Sequence, residues 1–310
     1  MYRGLTVAAV VPAYREEKHV GRVVETMPDL VDHIVVVDDC SPDATSESAL
    51  AVGDPRLVLV RHEVNKGVGG SIITGHREAM ARGADVMVVM AGDAQMDPAY
   101  LPSLLDPIID EGYGFTKANR FYSATSFEGM PKVRVFGNIV LTFMTKAASG
   151  YWNLVDPQNG YTAATRDSLS RIPLDRVAER YDFENDLLVW LNIADVRAKD
   201  VPIPAVYGDE TSTMNLGTVI PRLTVTLFKG FWRRMWRKYI LWSFSPVALL
   251  LFAGLFLLAL SVVPGVYAVW SALHGNSPTS GTVLLAVTPF LCGFWMLVQA
   301  FVLDIQATPK

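Results

Sequence analysis

The chain has 310 residues, 51% of them apolar, with 31 acidic against 27 basic side chains and a net charge of −4. That length carries one large domain or two ordinary ones, and the lack of a basic surplus excludes an electrostatic footprint for nucleic acid. Two cysteines, Cys40 and Cys292, match no metal spacing and exclude a disulfide framework, which suits a reducing compartment.

The opening run MYRGLTVAAVVPAY is too short in its apolar part for a secretory signal and reads as a first strand. Strands are predicted over Thr6–Val11, His33–Asp38, Leu57–Arg61, Asp85–Met90 and Val196–Val201. Helical patterns fit Glu17–Met27, Ala44–Ala51, Gly69–Arg82, Tyr100–Glu111 and Val133–Ala148. Helix-sized segments between the first four strands predict βαβ units and a mostly parallel sheet. Ligands of such sheets bind outside the carboxyl ends of the strands, and polar clusters directly follow the apolar runs: VVPAYREE, VVVDDCSPD and VVMAGDAQMD. The glycine-rich NKGVGGS lacks both the dinucleotide-site spacing and the Gly-Lys-Ser/Thr ending of a phosphate loop. Five scattered histidines offer no pair at zinc spacing.

Charge divides the chain. Residues 1–215 hold 20 basic and 30 acidic side chains, whereas residues 216–310 hold 7 basic side chains and a single acid, Asp304. From Tyr239 to Leu303 there is no charged residue, and Pro246–Trp270 and Thr282–Leu303 are each long enough to cross a bilayer. The expected organisation is a domain over 1–215, an amphipathic juxtamembrane segment over 216–242, a transmembrane hairpin over 243–304 and a tail over 305–310. Lys229, Arg233, Arg234, Arg237 and Lys238 precede the first span, and the connecting loop holds no basic residue. The positive-inside rule then places the N-terminal domain and the tail in the cytoplasm, in a multi-pass cell-membrane protein. Phe228, Phe231, Trp232, Met235, Trp236 and Tyr239 fall on one helical face and the five basic residues on the other, the pattern of an interfacial helix on anionic membrane lipid. The two spans can pack within one chain or between chains, which leaves a homo-oligomer open.

The ordered motifs PAYREE, VVVDDCSPD, NKGVGGSIITG, GDAQMDP, TKANRF and DPQNGYTA resemble the family-two glycosyltransferases of the GT-A fold. The membrane-bound branch of dolichyl- and polyprenyl-phosphate sugar synthases is the most similar. The resemblance spans residues 5–215 and implies an α/β domain with a Rossmann-like, mostly parallel sheet. It implicates Pro12, Ala13, Tyr14, Glu16 and Asp39 in clasping the nucleoside, with Lys66, Gly67 and Gly92 beside the nucleotide. Carboxylates suit ribose hydroxyls and base N–H donors; Asp38 is divided between such a role and capping the strand end. Relatives carry Asp-x-Asp-x-Gln after the fourth strand, where this chain reads Ala91-Gly92-Asp93-Ala94-Gln95. Asp93 and Gln95 are thus the expected ligands of Mg²⁺ or Mn²⁺, hard cations that take oxygen donors, and Ala91 stands where the first acid would. Asp97, beside Pro98, is expected to cap the next helix.

Arg120, which follows a strand, and Arg134 match family arginines that face phosphate, and a guanidinium fork grips phosphate oxygens bidentately. Asn159, Gly160 and Tyr161 match the turn lining the sugar pocket. In YDFENDLL, Asp186 matches a carboxylate beside the acceptor, with Glu184 pointing elsewhere because residues two apart on a helix diverge. VPIPAVYGDETSTMN, with Ser212 on the acceptor-phosphate side, has the character of a mobile lid. The expectation is metal-dependent, inverting transfer of a sugar from a nucleotide-sugar donor to polyprenyl phosphate, with Asp93, Asp186 and Arg120 catalytic. Transfer to a lipid-linked saccharide hydroxyl is the second reading. A non-catalytic membrane scaffold, prompted by Ala91, is the third.

Overall fold

The computed structural model describes residues 1–121, 132–204 and 216–309, the side chains of 132–136 and 216–220 excepted. Seven strands form one sheet: β1 (Val7–Ala13), β2 (His33–Asp38), β3 (Leu57–Arg61), β4 (Val86–Val89), β5 (Phe115–Asn119), β6 (Thr162–Thr165) and β7 (Ala198–Pro202). Their order is β3-β2-β1-β4-β6-β5-β7. β1 pairs parallel with β2 and β4, β2 with β3, and β5 with β7, while β6 runs antiparallel to both neighbours. The fold class expected from the sequence is therefore the one observed.

β1, β2 and β4 are buried almost throughout because both sheet faces are covered, which demands continuous apolar runs. The pleat sorts β1 onto two cores. Ala8 and Val10 face one that includes Ile72, Leu187 and Trp190; Val7, Ala9 and Val11 face another that includes Val20, Val24 and Leu104. Helices α1 (Val20–Glu25), α2 (Thr45–Ala51), α3 (Val68–Ala81) and α4 (Leu101–Glu111) occupy the first four connections; α5 (Lys132–Ser149), α6 (Arg166–Ser170) and α7 (Phe183–Ile193) follow. α3 lies close on β1: a Cβ at Gly75 would come within 2.3 Å of Val10 Cγ1.

Sequence periodicity names five strands, with β5 present only as the strand end before Arg120 and β6 absent. Both break the apolar pattern for a physical reason. β5 buries Thr116, Lys117 and Asn119, and β6 is the four-residue TAAT.

The chain divides into two compact units, Met1–Phe231 and Trp232–Thr308, with α8 (Leu216–Trp236) crossing the boundary. In the second unit a π-helical turn, Arg237–Trp242, precedes α9 (Pro246–Leu273) and α10 (Ser280–Gln306), which enclose the two apolar runs. Both helices are long and apolar enough to cross a membrane. They pack antiparallel through facing glycines: a Cβ on Gly254 would lie 2.9 Å from the Gly293 carbonyl, and one on Gly293 would lie 2.8 Å from that of Gly254. Small residues at such a crossing let helix backbones approach without a hydrophobic driving force. Outward, Phe256, Val263, Leu284 and Trp295 are exposed.

Arg234 departs from the expected basic face. It is fully buried, and its Nη2 donates to Asp304 Oδ2 at 2.9 Å while Nη1 meets Oδ1. Tyr239 donates its hydroxyl to Asp304 Oδ1 at 2.6 Å. The pair joins the last turn of α8 to the last turns of α10. Because breaking a buried pair leaves an uncompensated charge, Asp304→Ala should destabilise the second unit by about 3 kcal/mol or more. Thermal unfolding in detergent micelles reads this, and the exchange Arg234→Asp with Asp304→Arg should recover part of the loss.

Candidate functional site

A cavity of about 470 Å³ opens at the carboxyl ends of β1, β2 and β4. Its walls include Pro12, Ala13, Tyr14, Glu16, Asp39, Gly92 and Asp93, seven of the residues expected at the nucleotide and metal sites. The sheet register explains the convergence: Ala13 pairs with Asp38, so β1 and β2 end together, and beyond the Val10–Val89 pair the chain after β4 continues along β1, the Met90 N–H donating to the Val10 carbonyl at 2.9 Å and the Gly92 N–H to that of Pro12 at 3.1 Å. Glycine at 92 eases a tight approach: a Cβ there would crowd Ala13 Cβ at 3.1 Å and the Pro12 carbonyl at 3.2 Å.

The two acids after β2 divide their work. Asp38 is fully buried and accepts the Ser41 N–H at 2.8 Å and the Ser46 hydroxyl, so it holds the turn into α2. Asp39 accepts the Lys66 and Gly67 N–H groups, each at 2.8 Å, and pairs with His62 Nδ1 at 2.7 Å. Lys66 thus reaches the site through its backbone, and its side chain is not part of the cavity wall. In the loop after β4, Asp93 accepts the Gln95 N–H at 3.0 Å across Ala94, whose φ is +58°. Asp97 caps the following turn by accepting the Ala99 N–H at 2.9 Å.

The remaining candidates gather around β5 and α7. Arg120 donates from Nε at 2.7 Å and Nη2 at 3.0 Å to Asp156, a buried carboxylate. Burial pushes Asp156 up, but the Arg120 hydrogen bond and charge, with help from Lys117, win and hold it below the ordinary carboxylate range. Asn159 shapes its turn by accepting the Tyr161 N–H at 3.0 Å. Of the α7 carboxylates, Asp186 is buried and accepts the Ala178 N–H at 3.0 Å. Glu184 instead lies by the pocket turn, 3.7 Å from where a Gly160 Cβ would be, and lines a small enclosed cavity with Gly160, Thr162 and Lys117. Lys117 is itself buried, 3.8 Å from Asp200 Oδ1. Ser212 and the Arg134 side chain lie outside the described residues. Sequence reasoning missed Asn65, Ser71, Arg180 and Tyr181 on the main cavity wall. Asn65 and Ser71 sit in the glycine-rich motif, which was a usable signal. Arg180 and Tyr181 arrive from a connection far along the chain with no local pattern.

This constellation, a cavity at strand ends ringed by the motifs after β1, β2 and β4, belongs to a glycosyltransferase of the GT-A fold. The family model for glycosyl transferase family 2 matches residues 8–172, more than half of the chain, and the chain belongs to that family. It is 28% identical over 244 residues to a UDP-N-acetylglucosamine–dolichyl-phosphate N-acetylglucosaminyltransferase of Methanococcus voltae, covering 74% of this chain and 94% of that one. It is 27% identical to an undecaprenyl-phosphate mannosyltransferase of Micrococcus luteus, covering 72% and 93%. Glucosyl-3-phosphoglycerate synthase of Mycobacterium tuberculosis, solved with Mn²⁺, uridine diphosphate and phosphoglyceric acid, shares the fold. Its TM-score is 0.58 at 23% identity, over 74% of this chain and 79% of that one.

Glu184 generates a pH signature. Burial is the largest effect on it and outweighs the nearby Lys117, so its carboxyl is pushed from 4.5 up to about 7. Between those values the folded chain holds a proton that the unfolded chain has released, so stability falls as pH rises through the window. Glu184→Gln has no such proton. The stability of wild type relative to this variant should therefore drop by about 3 kcal/mol across the window and stay level above it. Melting curves at pH 5 and 8 measure the difference; a level difference throughout would mean a solvated, ionised Glu184.

Proposed function

We propose that the chain transfers a sugar, with inversion, from a nucleotide-sugar donor to a polyprenyl-phosphate carrier at the cytoplasmic face of the cell membrane. The observation that carries this reading is the donor-sized cavity at the ends of β1, β2 and β4 in a chain that also holds a membrane-length apolar hairpin. The lipid-phosphate substrates in the names of its relatives support the acceptor. Under this reading residues 1–215 are the catalytic domain, 216–242 the juxtamembrane segment and 243–304 the hairpin.

Asp93 brings one carboxylate to the cavity, and among the described residues no three His, Cys, Asp or Glu side chains gather as a metal-binding group. Such a donor set fits Mg²⁺ or Mn²⁺ held by Asp93 and Gln95 and completed by donor phosphates and water, because Mg²⁺ sites need only one or two carboxylates beside substrate phosphate. The ion would neutralise charge developing on the departing nucleoside diphosphate. Pro12, Ala13, Tyr14, Glu16 and Asp39 shape the nucleoside side. A phosphate monoester has a second pKa of about 6, so a polyprenyl-phosphate oxygen is already anionic near neutral pH and attacks the anomeric carbon without a strong base.

One observation favours a lipid-linked saccharide as acceptor instead. A hydroxyl must lose its proton during attack, and a base poised near pH 7 suits that step; Glu184, beside the Asn159–Gly160 turn, has that property. Radiolabelled UDP-, GDP- and dTDP-sugars offered with polyprenyl phosphate distinguish the two. Label extracted with the bare carrier supports the first reading, label appearing only with a lipid-linked saccharide supports the second, and no transfer to any lipid overturns both.

Asp93→Asn should abolish divalent-dependent nucleotide binding, measured by calorimetry with and without Mn²⁺. Ala91→Asp should raise turnover; unchanged turnover would make the first carboxylate dispensable here. Arg134→Ala should lower turnover with polyprenyl phosphate severalfold while nucleotide affinity stays near wild type, and the reverse pattern would move Arg134 to the donor side.

A further inference from the structure

The glycine-rich motif that matched no phosphate loop has a different task. Gly67 has a φ of +89°, and a Cβ there would lie 2.8 Å from the Glu179 carbonyl and 2.9 Å from Arg180 Cγ. At Gly69 a Cβ would lie 2.6 Å from Phe183 Cβ and 2.8 Å from the Ala178 carbonyl. Real Cβ atoms do not approach backbone so closely, so glycine here makes room for residues 178–180. The seat is fastened at both ends: Gly70 N–H donates to the Glu179 carbonyl at 2.9 Å, and Asp186 accepts the Ala178 N–H at 3.0 Å. What the seat delivers is Arg180, on the wall of the main cavity.

Charge gives that placement meaning. The cavity wall carries Glu16, Asp39 and Asp93, and Arg180 is its one basic side chain among the described residues. Its guanidinium makes no ion pair or hydrogen bond with the described residues. Other nearby cations are directed elsewhere: Arg15 stacks on the Tyr14 ring at 5.2 Å, and Arg61 donates to the Ser41 carbonyl at 3.0 Å. A dianionic group entering a wall of three carboxylates needs positive charge, and Ala91 reduces what a metal ion alone can be held by.

We propose that Arg180 binds the diphosphate of the nucleotide-sugar donor, with Gly67, Gly69 and Asp186 as the positioning residues that hold it there. Its planar fork offers two parallel donors to phosphate oxygens. This assignment rests on the nucleotide-sugar reading above.

Calorimetry on the full chain in detergent, with UDP, GDP and dTDP and with their nucleosides, each with and without Mn²⁺, tests it. Arg180→Gln should weaken the preferred nucleoside diphosphate at least tenfold and leave the matching nucleoside within twofold, and Arg180→Lys should fall between. Nucleoside binding by the variant also shows that its site is folded. Equal diphosphate affinity in wild type and Arg180→Gln, or an equal loss for diphosphate and nucleoside, would overturn the assignment while sparing the nucleotide-sugar reading. A wild-type chain that binds none of the three diphosphates overturns that reading and this one with it.

Discussion

Asp39 ends β2 with a carboxylate that is only 2% exposed, and a charge so placed requires donors within the protein. It finds them on another element, in the Lys66 and Gly67 N–H groups and the His62 ring, whose other nitrogen reaches the Thr74 hydroxyl at 3.0 Å. One carboxylate thereby fixes where α3 begins relative to the sheet. The start of α3 in turn carries the glycines against which residues 178–180 lie. The cavity wall at Asp39 and the wall at Arg180 are therefore set by the same contact, although the two residues are more than a hundred positions apart in sequence.

The parts legible in the sequence were those whose physics is local. β2 and β3 fall on their expected bounds because unbroken apolar runs between turn formers leave no alternative, and the polar residues after β1, β2 and β4 converge because parallel strands carry their carboxyl ends on one side of the sheet. What escaped depends on tertiary placement. β5 holds a buried lysine, and nothing in FTKAN shows that Asp200 waits on the neighbouring strand to receive it. The choice between Glu184 and Asp186 turns on which direction α7 faces. Helical geometry says only that the two diverge; it is the Ala178 N–H that takes Asp186 and leaves Glu184 at the pocket turn.

Around β5 a cluster of buried charges carries the polar side of the domain. Lys117 Nζ is buried with no hydrogen-bond partner among the described residues, and burial pushes its pKa down; Asp200 is pushed up by burial, against the pull of Lys117. Asp200 also accepts the Val155 N–H at 2.6 Å, next to the Asp156 that Arg120 grips. Two acid–base pairs thus clamp adjacent residues ahead of the Asn159–Gly160 turn. Buried polar groups are costly unless satisfied: the Arg120–Asp156 pair is hydrogen-bonded and fixes the residues ahead of the turn, whereas Lys117 Nζ, 3.8 Å from Asp200 Oδ1, is held by charge alone.

The hairpin poses the opposite problem. Its surface is apolar in every direction, so the helices gain little from burying one face against each other rather than against lipid. The Gly254–Gly293 crossing sets how closely they approach, but neighbouring turns present similar leucines and valines and fix the register weakly. Arg234 and Asp304 remove that ambiguity. Asp304 is the single acid after residue 215, and each of the two charges would be stranded in an apolar setting by any sliding of α10 against the last turn of α8. A buried ion pair contributes modest net stability because desolvation offsets its attraction. Its effect here is selective: the cost falls on the misregistered arrangements, so the pair favours one register out of several that hydrophobicity alone would leave nearly equal.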